Sequence, residues 1–243
     1  MIPKIAPRRG YRWFTLVTAI FVTTLVISNI IAVKLVTFAG LVVPAAVILF
    51  PIAYIFGHIL TEVYGYSNAR RVIWTGFFCN LLAVIAIVIA GALPAASFWS
   101  AGVFTTPSTA QQAYNAILGF APRLLAASFI AYLVGEFLNS FVLAKLKVQT
   151  HGKYLWVRTI GSTLVGQGAD SAIFISVAFL GILPAGGLLI SILSQWLFKV
   201  VYEVIATPFT YLIVNYLKRS ENEDVYDRNT NFSPIPLKPE EGA

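Results

Sequence analysis

The sequence predicts an all-α membrane protein: a bundle of six transmembrane helices with a short amphipathic helix on its outer side. Three observations predict it. Of 243 residues, 58% are hydrophobic and only 11% charged, where a soluble domain carries about 25% charged residues. The apolar residues fall in runs long enough for a bilayer, which needs about 20 residues per helix. Lys and Arg gather at alternate ends of those runs, the positive-inside pattern. The net charge of +7 would suggest nucleic acid in a soluble protein. Distributed this way it reports topology, so the expected partner is the bilayer, not nucleic acid.

Residues 1–12 form a basic tail with Lys4, Arg8, Arg9 and Arg12, held in the cytoplasm. The transmembrane domain covers 13–217 and a polar, proline-containing tail, 218–243, reads as disordered and cytoplasmic. The first span runs from Trp13 to Val36, too long for the apolar core of a signal peptide. The second runs from Val42 to Tyr64, with Pro44 in its first turn and an internal Pro51 that should kink or break it; a break there would make it re-entrant. A tight turn, Gly65 to Asn68, leads to the third, Arg71 to Ala90. Residues 91–121 are Pro-, Gly- and Ser/Thr-rich, and Thr109–Leu118 has the pattern of an amphipathic helix on the outer surface, with Ala113, Ile117 and Leu118 on one side. The fourth span is Pro122–Leu146; the fifth ends near Gly181; the sixth is Leu188–Leu217. Arg70, Arg71, Lys145, Lys147 and Lys153 all fall on the inner side, which puts both termini in the cytoplasm. The single cysteine, Cys79, excludes an intrachain disulfide and reads as packing.

Within these apolar helices stand polar residues that hydrocarbon does not tolerate. An ionised Asp at the bilayer centre costs about 2.5–3.5 kcal/mol on insertion scales. On the fifth span Arg158, Ser162, Gly166 and Asp170 recur every four residues, one helical face, with Gln167 beside them. The sixth carries Ser191, Gln195, Lys199, Glu203 and Thr207 at the same spacing. The fourth has Glu136 and Asn139 together. Such stripes wall a polar cavity, so Asp170, Gln167, Ser162, Glu136, Asn139, Lys199, Glu203 and Gln195 are candidate binding residues. Asn80 and Asn29 join them, although single asparagines also serve as interhelical hydrogen bonds. A self-neutralising Lys199–Glu203 pair is the plain alternative for the sixth helix. Glu62 with Arg70 and Arg71 reads as a charge cluster fixing the turn, and Arg158 as a phosphate anchor as readily as a site residue. His58 reads either as a proton relay or, more plainly, as a core or interface histidine.

Enzyme signatures are absent: the chain has no HExxH, GxSxG or phosphate-binding loop and no Cys/His metal spacing. A non-enzymatic role without cofactor or metal is expected.

The run Phe50-Pro-Ile-Ala-Tyr to Leu60-Thr-Glu-Val-Tyr-Gly-Tyr66, followed by Ala69-Arg-Arg-Val-Ile-Trp74, resembles the signature of the queuosine precursor transporter (VUT) family. Asn29-Ile-Ile-Ala-Val-Lys34, Ser162–Phe174 with its Gln167/Asp170 pair, and Lys199 with Glu203 and Pro208 resemble its other motifs, over residues 13–215. The family commonly carries an acid where this chain has His58. The resemblance implies inner-membrane uptake of 7-deazaguanine bases and kinship to the six-helix S-components of energy-coupling-factor vitamin transporters, with family members working without the ATPase module. Small six-helix carriers often pair, so a homodimer is among the expected partners.

The residue types suit that ligand. A 7-deazaguanine edge presents N1–H and a 2-amino group side by side, which one carboxylate accepts as a charge-assisted pair; Asp170, Glu136 or Glu203 would serve. O6 needs a donor, from Gln167, Asn80, Asn139 or Lys199. Phe174, Tyr132 or Trp196 would stack on the ring. Two rival readings are a binding subunit that needs a separate ATPase and a non-transporting membrane scaffold.

Overall fold

The structure is a computed structural model and describes residues 10–38, 41–119 and 122–235. Most of the basic N-terminal tail and the last eight residues, 236–243, lie outside the described residues. Among the described residues there are seven α-helices: α1 (Phe14–Ile31), α2 (Phe50–Tyr64), α3 (Tyr66–Ala92), α4 (Pro107–Leu118), α5 (Pro122–Gln149), α6 (Leu155–Phe179) and α7 (Ala185–Glu221). Four are long and apolar enough to cross a bilayer: α1, α3, α5 and α7, while α2 is a shorter apolar helix. Their outward side chains, such as Phe78, Leu82 and Ile89 on α3 and Ile190, Leu197 and Leu212 on α7, are exposed and apolar, as lipid requires.

The first two spans differ from expectation. α1 stops at Ile31, and the chain enters an antiparallel ribbon, β1 (Leu35–Phe38) and β2 (Leu41–Pro44), in register Leu35 opposite Pro44. A 3-10 turn, Ala45–Ile48, then leads into α2. Pro51 therefore sits in the first turn of α2, where a missing N–H costs nothing, and does not interrupt a helix. The predicted span 42–64 is thus strand, turn and short helix.

The α2–α3 junction is tighter than the expected four-residue turn. Only Gly65 separates the helices, at φ +82°, a left-handed conformation that glycine adopts without penalty. No side chain of its own caps α3. The cap comes from the far end of the sequence: Asp227 accepts from Tyr66 N through both oxygens, 3.2 and 3.0 Å. An anionic acceptor is well placed at a helix N-terminus.

Asp227 belongs to the tail that the sequence reads as disordered. Residues 222–235 instead lie against the bundle. Arg70 Nη1 donates to Asn231 O and Ser233 O, 2.8 and 2.9 Å, and Trp74 Nε1 to Pro234 O, 2.9 Å. The Phe232 ring packs on Tyr66 and Phe141, with Lys145 Nζ 4.3 Å above it. Two aspartates, one aromatic and a few backbone carbonyls anchor the strap, so average polarity misreads it.

α4 begins two residues early, at Pro107, behind a Thr106–Thr109 capping box. Ala110, on the same face as Ala113, is its buried residue; Ala113 is half-buried and Ile117 is exposed. It is tied to α3 by Tyr114 Oη to Ile87 O (3.3 Å) and Gln111 Nε2 to Gly91 O (3.0 Å).

α5 and α6 make the most intimate contact. A Cβ on Gly166 would lie 2.6 Å from Asn139 Cβ and 2.8 Å from Gly135 O; one on Gly135 would lie 2.8 Å from Asp170 Cβ. The two backbones approach this closely because both positions lack side chains. That contact sets Glu136 beside Gln167 and Asp170.

Candidate functional site

A cavity of about 240 Å³ lies among α1, α2, α5, α6 and α7. Its polar lining comprises Asn29 from the end of α1, Glu136 from α5, Gln167 and Asp170 from α6, and Gln195 and Lys199 from α7. Phe174 and Tyr132 supply aromatic faces. Small side chains make the room: Ala46 of the 3-10 turn, Ala53 at the start of α2 and Ala131 of α5. The broken stretch before α2 thus lines the cavity. Non-helical backbone at membrane depth is tolerated in that position and not against lipid.

Six of the ten predicted residues meet here: Asp170, Gln167, Glu136, Lys199, Gln195 and Asn29. Four lie outside the lining. Ser162 is fully buried and donates to Thr159 O, 3.0 Å. Asn139 packs against Gly166, and Asn80 is buried on α3. Glu203 is also fully buried, with His58 Nε2 3.1 Å from its Oε1. Of the three aromatic candidates, Trp196 faces elsewhere, donating Nε1 to Leu164 O, 3.0 Å. Tyr132 donates its hydroxyl to Ile73 O, 3.0 Å, which fixes its ring. Tyr54, Ser28 and Ser128 also line the cavity and went unread. Tyr54 lies four residues before His58 on α2, and that spacing was the available signal.

The ion pairs regroup relative to expectation. Lys199 Nζ binds Asp170 Oδ2 across the α6–α7 interface, not Glu203 on its own helix. Their side chains are 8% and 20% exposed, so the pair borders the cavity. Glu136 has no ion-pair partner among the described residues. Arg158 is no phosphate anchor. It is 1% exposed and clasps Glu62 with two bonds, Nη2 to Oε1 at 2.8 Å and Nε to Oε2 at 3.1 Å. Lys218 Nζ reaches the same Oε1 at 2.6 Å, and Lys147 Nζ approaches it at 3.6 Å while donating to Glu62 O at 2.6 Å. Arg70, expected to pair with Glu62, binds the tail instead. No cluster of His, Cys, Asp and Glu suited to a metal occurs among the described residues.

A cavity lined with ionisable and amide side chains, set among helices with apolar outer faces, defines an integral, multi-pass membrane transport protein. The family described as "Putative vitamin uptake transporter" matches residues 44–213, most of the chain, and the chain belongs to that family. It is a family of transporters, not of enzymes. A "Probable queuosine precursor transporter" of Bacillus subtilis (strain 168) is 30% identical over 200 residues, 81% of this chain and 82% of that protein. A protein of the same description from Haemophilus influenzae (strain ATCC 51907 / DSM 11121 / KW20 / Rd) is 26% identical over 133 residues, 54% of this chain and 49% of that one. No solved structure matches the chain.

Proposed function

We propose that this chain is an inner-membrane carrier that takes up 7-deazaguanine queuosine precursors by alternating access, with six spans (α1, α2, α3, α5, α6, α7) and both termini in the cytoplasm. The observation that carries the reading is the Asp170–Lys199 pair at the edge of a cavity that also holds Glu136, Gln167 and Gln195. A 7-deazaguanine edge presents an acceptor, O6, next to two donors, N1–H and the 2-amino group. A base entering the pair would satisfy both partners: Asp170 accepts the two donors and Lys199 donates to O6. Gln167 lies beside them, with Phe174 and Tyr132 available to stack. Adenine presents the reverse edge and would leave a buried carboxylate and ammonium unmet, which is how strong rejection arises. At about 240 Å³ the cavity is at the small end for ligand pockets, usually 300–1,000 Å³, which suits a bicyclic base. Membership of a transporter family and the description of both relatives as queuosine precursor transporters support the substrate class.

The purified protein, alone in liposomes, should take up 7-cyano- or 7-aminomethyl-7-deazaguanine and ignore adenine. Asp170→Asn replaces one acceptor oxygen by a donor and should weaken binding by about 3 kcal/mol, roughly a hundredfold in Kd. Wild-type uptake by the Asn variant would remove Asp170 from recognition. Binding without flux would favour the subunit that needs a separate ATPase, and no binding of any purine would favour the scaffold.

A further inference from the structure

Below the cavity lies a second buried group of ionisable side chains that recognition of the base does not use. On α2, Tyr54, His58 and Glu62 recur every four residues; on α7, Lys199, Glu203 and Thr207 do the same. Tyr54 and Lys199 line the cavity, and Glu62 belongs to the charge cluster with Arg158 and Lys218. His58 and Glu203 occupy the middle rung of both ladders. They sit one helical turn, about 5.4 Å, from the cavity on one side and from that cluster on the other.

The pair is sealed, 1% and 0% exposed, and incompletely satisfied. His58 Nε2 stands 3.1 Å from Glu203 Oε1 and 3.4 Å from Thr163 Oγ1. Neither Glu203 oxygen has an aligned hydrogen bond among the described residues, and His58 Nδ1 has none either. Three carboxylates act on His58: Glu203 from α7, Glu136 from α5 and Glu62 on α2 itself. α6 contributes the Thr163 hydroxyl, its Asp170 being bound to Lys199. α1 carries no ionisable group of Asp, Glu, Lys, Arg or His, and the arginines of α3 lie in its first turns, Arg70 on the tail carbonyls. Glu136 links the pair to the cavity: it lines that space, and its Oε2 would lie 3.7 Å from a Cβ on Gly57, the neighbour of His58.

Charge balance gives this arrangement a purpose. A buried charge without a counter-charge is heavily penalised. With Asp170 and Lys199 cancelling, two carboxylates and one imidazole remain, and they reach zero net charge only by holding two protons between them. Imidazole ordinarily titrates at about 6.5, within the range cells impose across a membrane. We infer that His58 and Glu203 form a proton-carrying site that couples base uptake to proton entry. The proton enters through the cavity, passes from the Glu136 carboxyl to the imidazole, and is held between His58 Nε2 and the Glu203 carboxylate. It leaves toward the end of the bundle that carries Glu62.

The inference rests on the carrier reading above, and the experiment separates the two. Protein in liposomes with the potential clamped at zero is given radiolabelled 7-cyano-7-deazaguanine, which is uncharged. At equal pH, counterflow against unlabelled base tests the carrier alone. With the outside one pH unit more acidic, one-to-one coupling should concentrate the base about tenfold, and a lumenal pH dye should report acidification that depends on the base. His58→Gln and Glu203→Gln should keep counterflow and bring the concentration ratio to one. A wild-type ratio of one under the gradient, with counterflow intact, overturns the proton site and leaves the carrier. Folded variants that concentrate base as wild type does, or that lose counterflow together with accumulation, overturn the assignment to this pair. Should neither variant fold, the dye decides on wild type: no base-dependent acidification overturns the coupling. Absent wild-type counterflow overturns the carrier and the coupling together.

Discussion

Glu62 is wholly buried and held by Arg158 in two parallel bonds, by Lys218 and, at longer range, by Lys147. A carboxylate in this position is tolerable only because cations share it. Glu62→Gln therefore strands Arg158, 1% exposed, while Lys147 keeps Asp224 and the Glu62 carbonyl. Breaking one side of such a pair costs about 3–5 kcal/mol, and thermal unfolding in detergent should show that loss. Arg158→Lys keeps the charge but not the two-pronged geometry, and should lose less. A Glu62→Gln protein that melts with wild type would mean that the Lys153 carbonyl and the Thr150 hydroxyl suffice for Arg158. At this scale the sequence shows that a residue is anomalous but not which partner it meets. Asp170 and Lys199 stood out as members of polar stripes every four positions on apolar helices, with Gln167 beside the first. Glu62 stood out too, yet its partners lie 96 and 156 residues away, and the nearer Arg70 and Arg71 were the only visible choices.

At the scale of the element, the α5–α6 contact decides where the cavity's carboxylates stand. Gly166→Ala would set a methyl group 2.6 Å from Asn139 Cβ and 2.8 Å from the Gly135 carbonyl, neither of which can rotate away. The helices must separate, and the expected loss is about 1–3 kcal/mol of stability, together with weaker base binding as Asp170 withdraws from the cavity. Gly161→Ala is the control. Its nearest neighbour is Leu146 Cδ1 at 3.1 Å, the end of a flexible side chain, and melting temperature and uptake should both stay near wild type. Equal behaviour of the two variants would show that the close approach is not what holds the helices. The Ser162, Gly166, Asp170 spacing was legible, but it reads as a cavity wall, whereas Ser162 and Gly166 serve packing and Asp170 alone reaches the cavity. The β-ribbon was legible in retrospect. Leu35–Phe38 and Leu41–Pro44 are short runs rich in Val and Thr on either side of Ala39-Gly40, which is strand chemistry. The length of the apolar stretch favoured a helix and hid it.

For the whole molecule the decisive feature is the strap of residues 222–235, because it joins the ends of helices that a transport cycle would have to move. Asp224 makes the connection to the charge cluster: its Oδ1 lies 2.6 Å from Lys147 Nζ and 2.8 Å from Lys218 Nζ. Burial alone would push its carboxyl up, but the hydrogen bonds from Lys147 and Lys218 outweigh that and hold it below the ordinary value. A carboxyl lowered on docking contributes fully above its undocked value, about 3.9, and the contribution fades as pH falls through the lower, docked value. Asp224 is 43% exposed, so salt should also weaken the link. A fluorophore on Asn229→Cys, in a Cys79→Ser background, reads the docking as anisotropy. It should hold steady from pH 7 to about 4.5 and fall only below about 4, and Asp224→Asn should lower it throughout and flatten the acid limb. A fall centred near pH 6 would instead place the controlling group on an imidazole, and an anisotropy low at every pH would mean that the strap does not rest on the bundle. Nothing in the tail's composition shows this docking. It depends on Asp227 under α3, Phe232 against Tyr66 and Asp224 between two lysines, single residues whose partners exist only once α3, α5 and α7 have brought their ends together.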